Sequence, residues 1–362
     1  MCIRSGAWYS SPAVSHDSSE IIRALAAHWG LTESPVAPLA GGLIHQSFSV
    51  PHRDVEYVLQ RVNPIFSPGI HENIVAVTEH LHGKGICTFR LLPTKDGRPY
   101  ADLGPAGIWR LMTRIPGVTF DTCTSLAQAR SAGSLVARFH SALADLDHDF
   151  QPLGIPLHDT TTHLEELREA LVRHRGHRLY DAVAPLAEEI LGAVSEWEPL
   201  DRVPLRVVHG DLKFNNVLFS GELEEEKHTA VSLIDLDTLS RMPLWVELGD
   251  AWRSWCNRAG EDVAEAALDM EVFQESAEGY LAGLSIELDT AERVSLAHGI
   301  ERVGLELSAR FAADALMESY FGWDPARFAS SGDHNLTRAR GQLSLYRQAR
   351  ETREARIRVL VG

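Results

Sequence analysis

One polar segment between two apolar runs constrains this chain more than any other feature. The segment 209–216 reads HGDLKFNN and lies between the apolar runs 207–208 and 217–219. A third apolar run, 231–234, ends on Asp235-Leu236-Asp237. Short apolar runs rich in β-branched residues predict strands, and the polar residues between them predict loops. The sequence therefore predicts a strand, a polar loop, a hairpin and a strand that ends on two acids.

The spacing of the polar residues is that of a catalytic loop. His209, Asp211 and Asn216 follow the pattern H-x-D-x-x-x-x-N, and Asp235 comes after them at the distance found in protein kinases. A hairpin with incidental polar turns is the alternative, but the strands predicted on both sides favour a catalytic loop. His209 is predicted to hold the loop in place rather than to act as a base.

These residue types suit the transfer of a phosphoryl group to a hydroxyl. A carboxylate must orient the hydroxyl and accept its proton, and Asp211 is the candidate for this role. Positioned charge stabilises the transferred group, and Mg²⁺ prefers hard oxygen ligands. Asn216 and Asp235 are the predicted metal ligands, with Asp237 as an additional candidate. Lys213 lies inside the loop, where its ammonium group either reaches the γ-phosphate or only contacts solvent.

The loop and the acids after it resemble the aminoglycoside phosphotransferase and choline kinase superfamily. Other stretches resemble its N-acetylhexosamine 1-kinase branch more specifically: GLIHQSF at 42–48, YVLQRVN at 57–63, GDAWR at 249–253, Arg310-Phe311 and Tyr320-Phe321. The resemblance implies an α+β, protein-kinase-like fold, with a small antiparallel sheet and a helix in residues 1–113 and a mainly helical lobe in 114–362. It also implies that ATP and Mg²⁺ are used to phosphorylate the anomeric hydroxyl of an N-acetylhexosamine.

Composition excludes several classes of partner and site. A net charge of −16 argues against a nucleic-acid partner, which would require a basic surface. No apolar run approaches the ~20 residues of a membrane span, and the first 19 residues lack the apolar core of a signal peptide. The four cysteines form no C-x-x-C pair, so a zinc site is not expected and a reducing cytoplasm is the simplest setting.

The nucleotide is expected to lie beneath a hairpin in residues 38–61. Gly41 and Gly42 are placed in the turn that covers the phosphates, where backbone N–H groups can approach phosphate oxygens closely. The next strand, 55–62, lacks the lysine that protein kinases use to hold the α- and β-phosphates. Strand alternation puts Gln60 and Arg61 on opposite faces, so either can occupy that position. Arg61 is preferred because a phosphate contact favours a positive charge.

Further candidates complete the nucleotide site. A helix predicted over 68–82 carries Glu72 and Glu79, either of which can orient the phosphate-binding residue, with Glu72 preferred. Met112, Thr113 and Ile115 lie in a strand and breaker that predict the hinge between lobes, where backbone groups would pair with adenine.

Helical periodicity continues through the second half of the chain. It predicts one helix over 290–318 and a final helix over 335–358. The resemblance suggests that Asp250 braces the catalytic loop through its backbone amides, and simple helix capping is the alternative. His140 lies on the apolar side of a predicted helix and is expected to be a core histidine.

Two other functions remain open at this point. The first is a kinase of the same superfamily with another acceptor, such as an aminoglycoside, choline or homoserine. The second is a non-catalytic nucleotide-binding protein on a kinase fold, for which the missing strand lysine is the main support.

Overall fold

The N-terminal part of the chain forms a five-stranded antiparallel sheet. A computed structural model describes residues 25, 27–31, 34–39, 45–197, 199–200, 202–221 and 229–362. The strand order is β1-β2-β3-β5-β4. The strands are β1 (Ala37–Pro38), β2 (Gln46–His52), β3 (Val55–Arg61), β4 (Ala101–Asp102) and β5 (Ile108–Thr113). The predicted hairpin over 38–61 corresponds to β2 and β3, whereas the predicted Gly41-Gly42 turn lies outside the described residues.

The two faces of this sheet pack against different clusters. Leu59, Trp109 and Leu111 lie on the outer face, where they form a small apolar cluster with Val50. Met112 alternates with Leu111 and therefore faces the main core of the molecule. Side chains in register with Met112 on β3 and β5 consequently point toward the rest of the chain.

The remainder of the described chain is mainly helical. Its helices are α1 (Ile70–Gly83), α2 (Leu126–Ala142), α3 (Thr160–Arg173), α4 (Tyr180–Ser195), α5 (Leu244–Trp255), α6 (Met270–Gly283), α7 (Thr290–Ala297), α8 (Gly299–Met317), α9 (Ser331–Glu351) and α10 (Arg353–Val361). Two short antiparallel pairs lie among them: β6 (Leu205–Val208) with β9 (Ser240–Pro243), and β7 (Val217–Phe219) with β8 (Ala230–Leu233). No helix among the described residues is both long and apolar enough to cross a membrane.

Helices α2 and α6 approach each other until their backbones touch. A Cβ atom on Gly133 would lie 2.0 Å from the carbonyl oxygen of Ser276, and one on Gly279 would lie 2.2 Å from that of Arg130. Both distances are far below van der Waals contact, so only glycine fits at these crossings. This close crossing fixes the separation of the two helices.

Two long helices predicted from periodicity are each broken in the structure. The stretch predicted as one helix over 290–318 is α7 and α8, separated at His298. Gly299, at the start of α8, lies against the backbone of α5, and a Cβ there would be 2.3 Å from the Trp245 carbonyl oxygen. The stretch predicted over 335–358 is α9 and α10, with the break at Thr352. Buried Arg356 stabilises that break by donating to the Ala349 carbonyl at 2.6 Å.

Candidate active site

The two predicted polar loops lie side by side because their flanking strands pair. Strand β6 enters the segment 209–216, and β8 ends just before Asp235. The Nε2–H of His209 donates to the carbonyl oxygen of Ile234 at 2.8 Å, and the backbone N–H of Asp211 donates to His209 Nδ1 at 3.3 Å. His209 is buried and links the two loops, which agrees with its predicted structural role.

Glu247, in the first turn of α5, braces the catalytic loop. Its carboxylate accepts the backbone N–H groups of His209 at 2.8 Å and Gly210 at 2.9 Å. His140 Nε2 lies 3.4 Å from the same carboxylate, and His140 Nδ1 lies 2.9 Å from the Tyr280 hydroxyl. Burial raises the pKa of Glu247, but the hydrogen bonds from His140 and the Gly210 amide act together with the nearby imidazoles and lower that pKa below its usual value. The core histidine predicted at residue 140 therefore supports the loop through Glu247.

Asp250 does not supply the brace predicted for it. Its Oδ1 accepts from Arg253 Nη2 at 2.8 Å, while its Oδ2 is buried and has no hydrogen-bond partner among the residues described. Although burial raises it, the charges of Arg253 and His158 lower the pKa of Asp250 to about 2. The acid one helical turn earlier, Glu247, has the two backbone amides instead. Asp250 thus keeps one buried carboxylate oxygen that no described residue hydrogen-bonds.

Asp211 is the most strongly desolvated acid of the loop. Its side chain is 5% exposed, and its Oδ2 lies 3.2 Å from Lys213 Nζ. Its Oδ1 is buried without a hydrogen-bond partner in the described part of the chain. Burial raises the pKa of Asp211, and the nearby Lys213 ammonium partly offsets that effect. An acid with an open oxygen and a raised pKa is suited to accept a proton.

Asn216 and Asp235 are brought together as predicted for metal ligands. The Ile234 N–H donates to the Asn216 carbonyl at 3.0 Å, which places Asp235 next to Asn216. Asn216 Nδ2 donates to the Asp211 carbonyl at 2.7 Å, and this leaves Oδ1 as its remaining side-chain polar atom. Asp235 has a left-handed backbone at φ 64°, ψ 56°. Such a conformation is uncommon outside glycine and is typical of residues whose geometry serves a site.

Asp237 is held between Arg110 and His45. Its Oδ1 lies 2.6 Å from Arg110 Nη1, and its Oδ2 lies 2.7 Å from His45 Nε2. Arg110 and His45 hold the pKa of Asp237 well below its usual range, although burial acts in the opposite direction. Single ligand atoms of His45, Asp235 and Asp237 lie within 4.8 Å of one another, close enough to share one ion. Mg²⁺ prefers carboxylate and amide oxygens. Both oxygens of Asp237 already contact Arg110 or His45, so Asp235 and Asn216 fit Mg²⁺ best.

The register of β3 and β5 separates Gln60 from Arg61. Gln60 lies opposite Arg110, and Arg61 lies opposite Trp109. Gln60 Oε1 accepts from Arg110 Nε at 2.9 Å and from Nη2 at 2.7 Å, so Gln60 faces the Asp237 side of the sheet. Arg61 is on the other face, beside Gly107. The preference for Arg61 as the phosphate contact is therefore not supported by its placement, whereas Gln60 adjoins the site through Arg110.

Helix α1 does not direct its glutamates toward this cluster. Glu72 and Glu79 are both exposed. The buried residue next to Glu72 is His71, whose Nδ1 lies 2.7 Å from the Pro68 carbonyl. Burial and the charge of Arg110 lower the pKa of His71 to about 4. The Arg110 guanidinium is thus oriented by Gln60 and Asp237, and not by either glutamate of α1.

Of the predicted hinge residues, Met112 and Thr113 end β5 and Ile115 follows it. Met112 is buried in the main core, and Ile115 is partly buried against the same core. The Thr113 N–H donates to the Arg90 carbonyl at 3.0 Å. This N–H is already committed, so an adenine would have to pair with other backbone groups here.

A second polar cluster lies beyond Asp250 and is formed by α3, α8 and the segment before α3. His158 Nδ1 lies 3.1 Å from Glu306 Oε1, and Thr160 donates to Glu306 Oε2 at 2.5 Å. The charge of Arg310 and, more strongly, burial lower the pKa of His163. Arg310 lies over the Tyr320 ring at 5.7 Å. Three buried atoms of this cluster have no hydrogen-bond partner within the described ranges: His158 Nε2, His163 Nε2 and Arg310 Nη1.

Sequence reasoning missed Glu247, Arg110 and most of this second cluster. Glu247 lies in the first turn of α5, where an acid is also favoured by the helix dipole. Arg110 lies in an apolar strand, and its pairing with Asp237 spans 127 positions of sequence. The Arg310-Phe311 and Tyr320-Phe321 strings pointed to part of the second cluster.

Comparison with known proteins identifies the family of this chain. A model of the phosphotransferase enzyme family matches residues 35–281. A microcompartment-associated aminopropanol kinase has a TM-score of 0.60 at 15% identity, with 94% of this chain and 98% of that one covered. An amicoumacin kinase in complex with AMP-PNP and Ca²⁺ has a TM-score of 0.59 at 11% identity, with 96% of each chain covered. An ethanolamine kinase from Plasmodium vivax has a TM-score of 0.57 at 13% identity, with 94% of this chain and 93% of that one covered.

These likenesses confirm the predicted α+β, protein-kinase-like fold, with its antiparallel sheet and mainly helical second part. At such identities the solved structures show the fold alone, whereas the family match extends over the sheet, the catalytic loop and the helices that support it. The chain belongs to the phosphotransferase enzyme family.

Proposed function

We propose that this protein transfers the γ-phosphate of ATP, with Mg²⁺, to the anomeric hydroxyl of an N-acetylhexosamine or a related sugar. The observation that carries the acceptor class is a set of buried polar atoms that lack hydrogen-bond partners among the described residues. They belong to Asp211, Asp250, His158, His163 and Arg310, and we call them the row. Asp250 lies near enough to Asp211 to raise its pKa, and His158 lies near enough to Asp250 to lower the pKa of that acid. The row therefore begins at the proposed base.

The character of this row favours a neutral acceptor over a polycation. Its acids are already paired, since Asp250 has Arg253, and Glu306 has His158 and Thr160. Its remaining open atoms are of mixed type: a guanidinium N–H, two imidazole nitrogens and one carboxylate oxygen each from Asp211 and Asp250. Buried polar groups need partners, and the hydroxyls and amide of a sugar can supply both donors and acceptors. An aminoglycoside would call for unpaired acids in excess.

The proposed mechanism assigns one task to each residue of the loop. Asp211 Oδ1 orients the acceptor hydroxyl and takes its proton. Asn216 and Asp235 would hold Mg²⁺, which offsets the negative charge of the phosphates when it is bound. Lys213, 3.2 Å from Asp211 Oδ2, lowers the pKa of the base and supplies positive charge beside the transferred group. Glu247 and His209 keep these groups in register.

A panel of acceptors tests the proposal directly. Mg²⁺-dependent ATP consumption is expected with N-acetylglucosamine or N-acetylgalactosamine, and not with choline, homoserine or an aminoglycoside. The Arg310→Met variant is expected to raise KM for the sugar about 10- to 100-fold, because a buried charged hydrogen bond is lost, while KM for ATP stays unchanged. Turnover with an amine-bearing acceptor alone would refute the sugar assignment.

A matched control for that variant lies on the same helix. Arg302 is also an arginine of α8 that stacks on aromatic rings, here Trp197 and Trp245. Arg302→Met is expected to leave both KM values within twofold of the parent. An equal rise in the sugar KM for both variants would mean that Arg310 acts only through the packing of α8.

The Lys213→Met variant is expected to move the acidic limb of the pH profile upward. Asp211 must be ionised to accept a proton, so kcat/KM is lost as pH falls through its pKa. Lys213 lowers that pKa, so its removal should raise the apparent pKa further. The measurement is kcat/KM against pH, with Lys84→Met as a control because Lys84 pairs with exposed Asp145. A fall in rate with an unmoved limb would contradict the electrostatic role.

A further inference from the structure

We propose that Arg110 of β5 is the cation that binds the phosphates of the nucleotide, in place of the lysine that the neighbouring strand lacks. This inference rests on the proposed use of ATP. It moves the phosphate contact from β3 to β5 and makes Gln60 a positioning residue for it.

The sheet offers two arginines for this role. Across β1 to β5 the lysine and arginine side chains are Arg61 and Arg110, and the register places them on opposite faces. Arg61 shares its face with Leu59 and lies against Gly107. Arg110 shares its face with Met112 and reaches Asp237 in the segment that follows β8. Of the two, Arg110 is the cation on the side of the proposed metal ligands.

Hydrogen bonds orient the guanidinium of Arg110 but do not occupy all of its N–H donors. Three of its five N–H groups are committed: Nε and one Nη2–H to Gln60 Oε1, and one Nη1–H to Asp237 Oδ1. One N–H on each terminal nitrogen remains for a ligand. Gln60 is uncharged, so it fixes the plane of the guanidinium without cancelling its charge. A planar, oriented fork of this kind suits phosphate oxygens.

The position of Asp237 sets the distance from Arg110 to the metal-binding acid. Arg110 Nη1 is 2.6 Å from one Asp237 oxygen, and ligand atoms of Asp237, Asp235 and His45 lie within 4.8 Å of one another. A phosphate held by an ion on Asp235 would therefore lie beside the guanidinium. His45 Nε2 contacts the other oxygen of Asp237, at 2.7 Å. Asp237 is therefore not a partner of Arg110 alone.

Nucleotide binding without an acceptor tests this inference. Titration calorimetry would compare Mg·ADP with adenosine for the parent and for Arg110→Met. The variant is expected to bind ADP about 10- to 100-fold more weakly and adenosine with unchanged affinity, because only ADP loses a charged hydrogen bond. Arg90→Met, which removes an exposed arginine from the segment paired with β5, should bind both ligands like the parent. An unchanged ADP affinity in Arg110→Met would overturn the inference.

Two further variants separate a phosphate contact from a fold defect. Arg110→Met alone leaves the Asp237 carboxylate buried without its arginine, so Arg110→Met/Asp237→Asn removes both charges together. The double variant should have the melting temperature of the parent. It should still bind Mg·ADP more weakly than the parent does, while its affinity for adenosine stays unchanged. Arg110→Lys should restore part of that affinity. A selective loss in Arg61→Met, or an equal loss for adenosine in the double variant, would also overturn the inference.

These readouts do not depend on the acceptor. ADP binding that requires Arg110, together with failure of every sugar, would retain the inference and refute the proposed substrate. A parent protein that bound ADP no better than adenosine would overturn the phosphate contact itself.

Discussion

Replacing Asp211 by Asn is expected to lower kcat by about 10²- to 10⁴-fold, the usual contribution of a positioned general base. Asparagine keeps the shape of the side chain but cannot accept the proton of the acceptor hydroxyl. The affinity for Mg·ADP should change little, since Asn216 and Asp235 are the proposed metal ligands. The measurement is steady-state ATP consumption with the best acceptor, beside ADP titration. A residual rate above one tenth of the parent would remove Asp211 from the role of base.

The same substitution should also make the protein more stable. Burial raises the pKa of Asp211, so above the pKa of the unfolded chain its ionised form costs free energy that the unfolded chain does not pay. A neutral amide avoids this cost, and the melting temperature at neutral pH should rise. Near pH 3, where the acid is protonated in both states, the advantage should vanish. A lower melting temperature at pH 7 would show that the ionised carboxylate is better satisfied than its open Oδ1 indicates.

Glu247→Ala is expected to lose both stability and activity. The carboxylate accepts the buried N–H groups of His209 and Gly210, and each donor left unsatisfied costs about 1–3 kcal/mol. The free energy of unfolding should therefore fall by roughly 2–6 kcal/mol, since both buried donors lose their acceptor. The fraction that remains folded should have a lower kcat because the loop no longer holds Asp211 in register. Urea unfolding and active-site-normalised rates measure the two effects.

Two controls accompany this variant. Glu247→Gln keeps one carbonyl acceptor and should lie between the parent and Glu247→Ala in both measurements. Glu189→Ala removes an exposed acid that pairs with Arg347, and such surface pairs contribute at most about 1 kcal/mol. If Glu247→Ala were no less stable than Glu189→Ala, the loop amides would have another acceptor.

The sequence predicted those features that depend on neighbouring residues. The catalytic loop is one continuous segment between apolar strands, so its motif and its context are both visible in the sequence. The metal-ligand candidates Asn216 and Asp235 follow from the same motif, and the structure brings them together through the Ile234 amide. The sheet and the helical second part follow from periodicity and resemblance.

What the sequence did not predict depends on contacts between distant segments. The loop amides could be satisfied by any acid in the first turns of α5, and only packing selects Glu247 over Asp250, since His140 and Tyr280 lie on the Glu247 side. The break at His298 arises where Gly299 meets α5, a contact that periodicity does not contain.

The close crossing of α2 and α6 has a consequence for which substitutions the enzyme can tolerate. His140 is on α2 and Tyr280 is on α6, and together they orient Glu247 beneath the catalytic loop. Gly133 and Gly279 touch neither the loop nor the acceptor cluster, yet any side chain there would force the two helices apart. A search for active-site residues by proximity would overlook both glycines. A substitution at either glycine is therefore expected to disturb the position of Glu247 as well as the packing of the two helices.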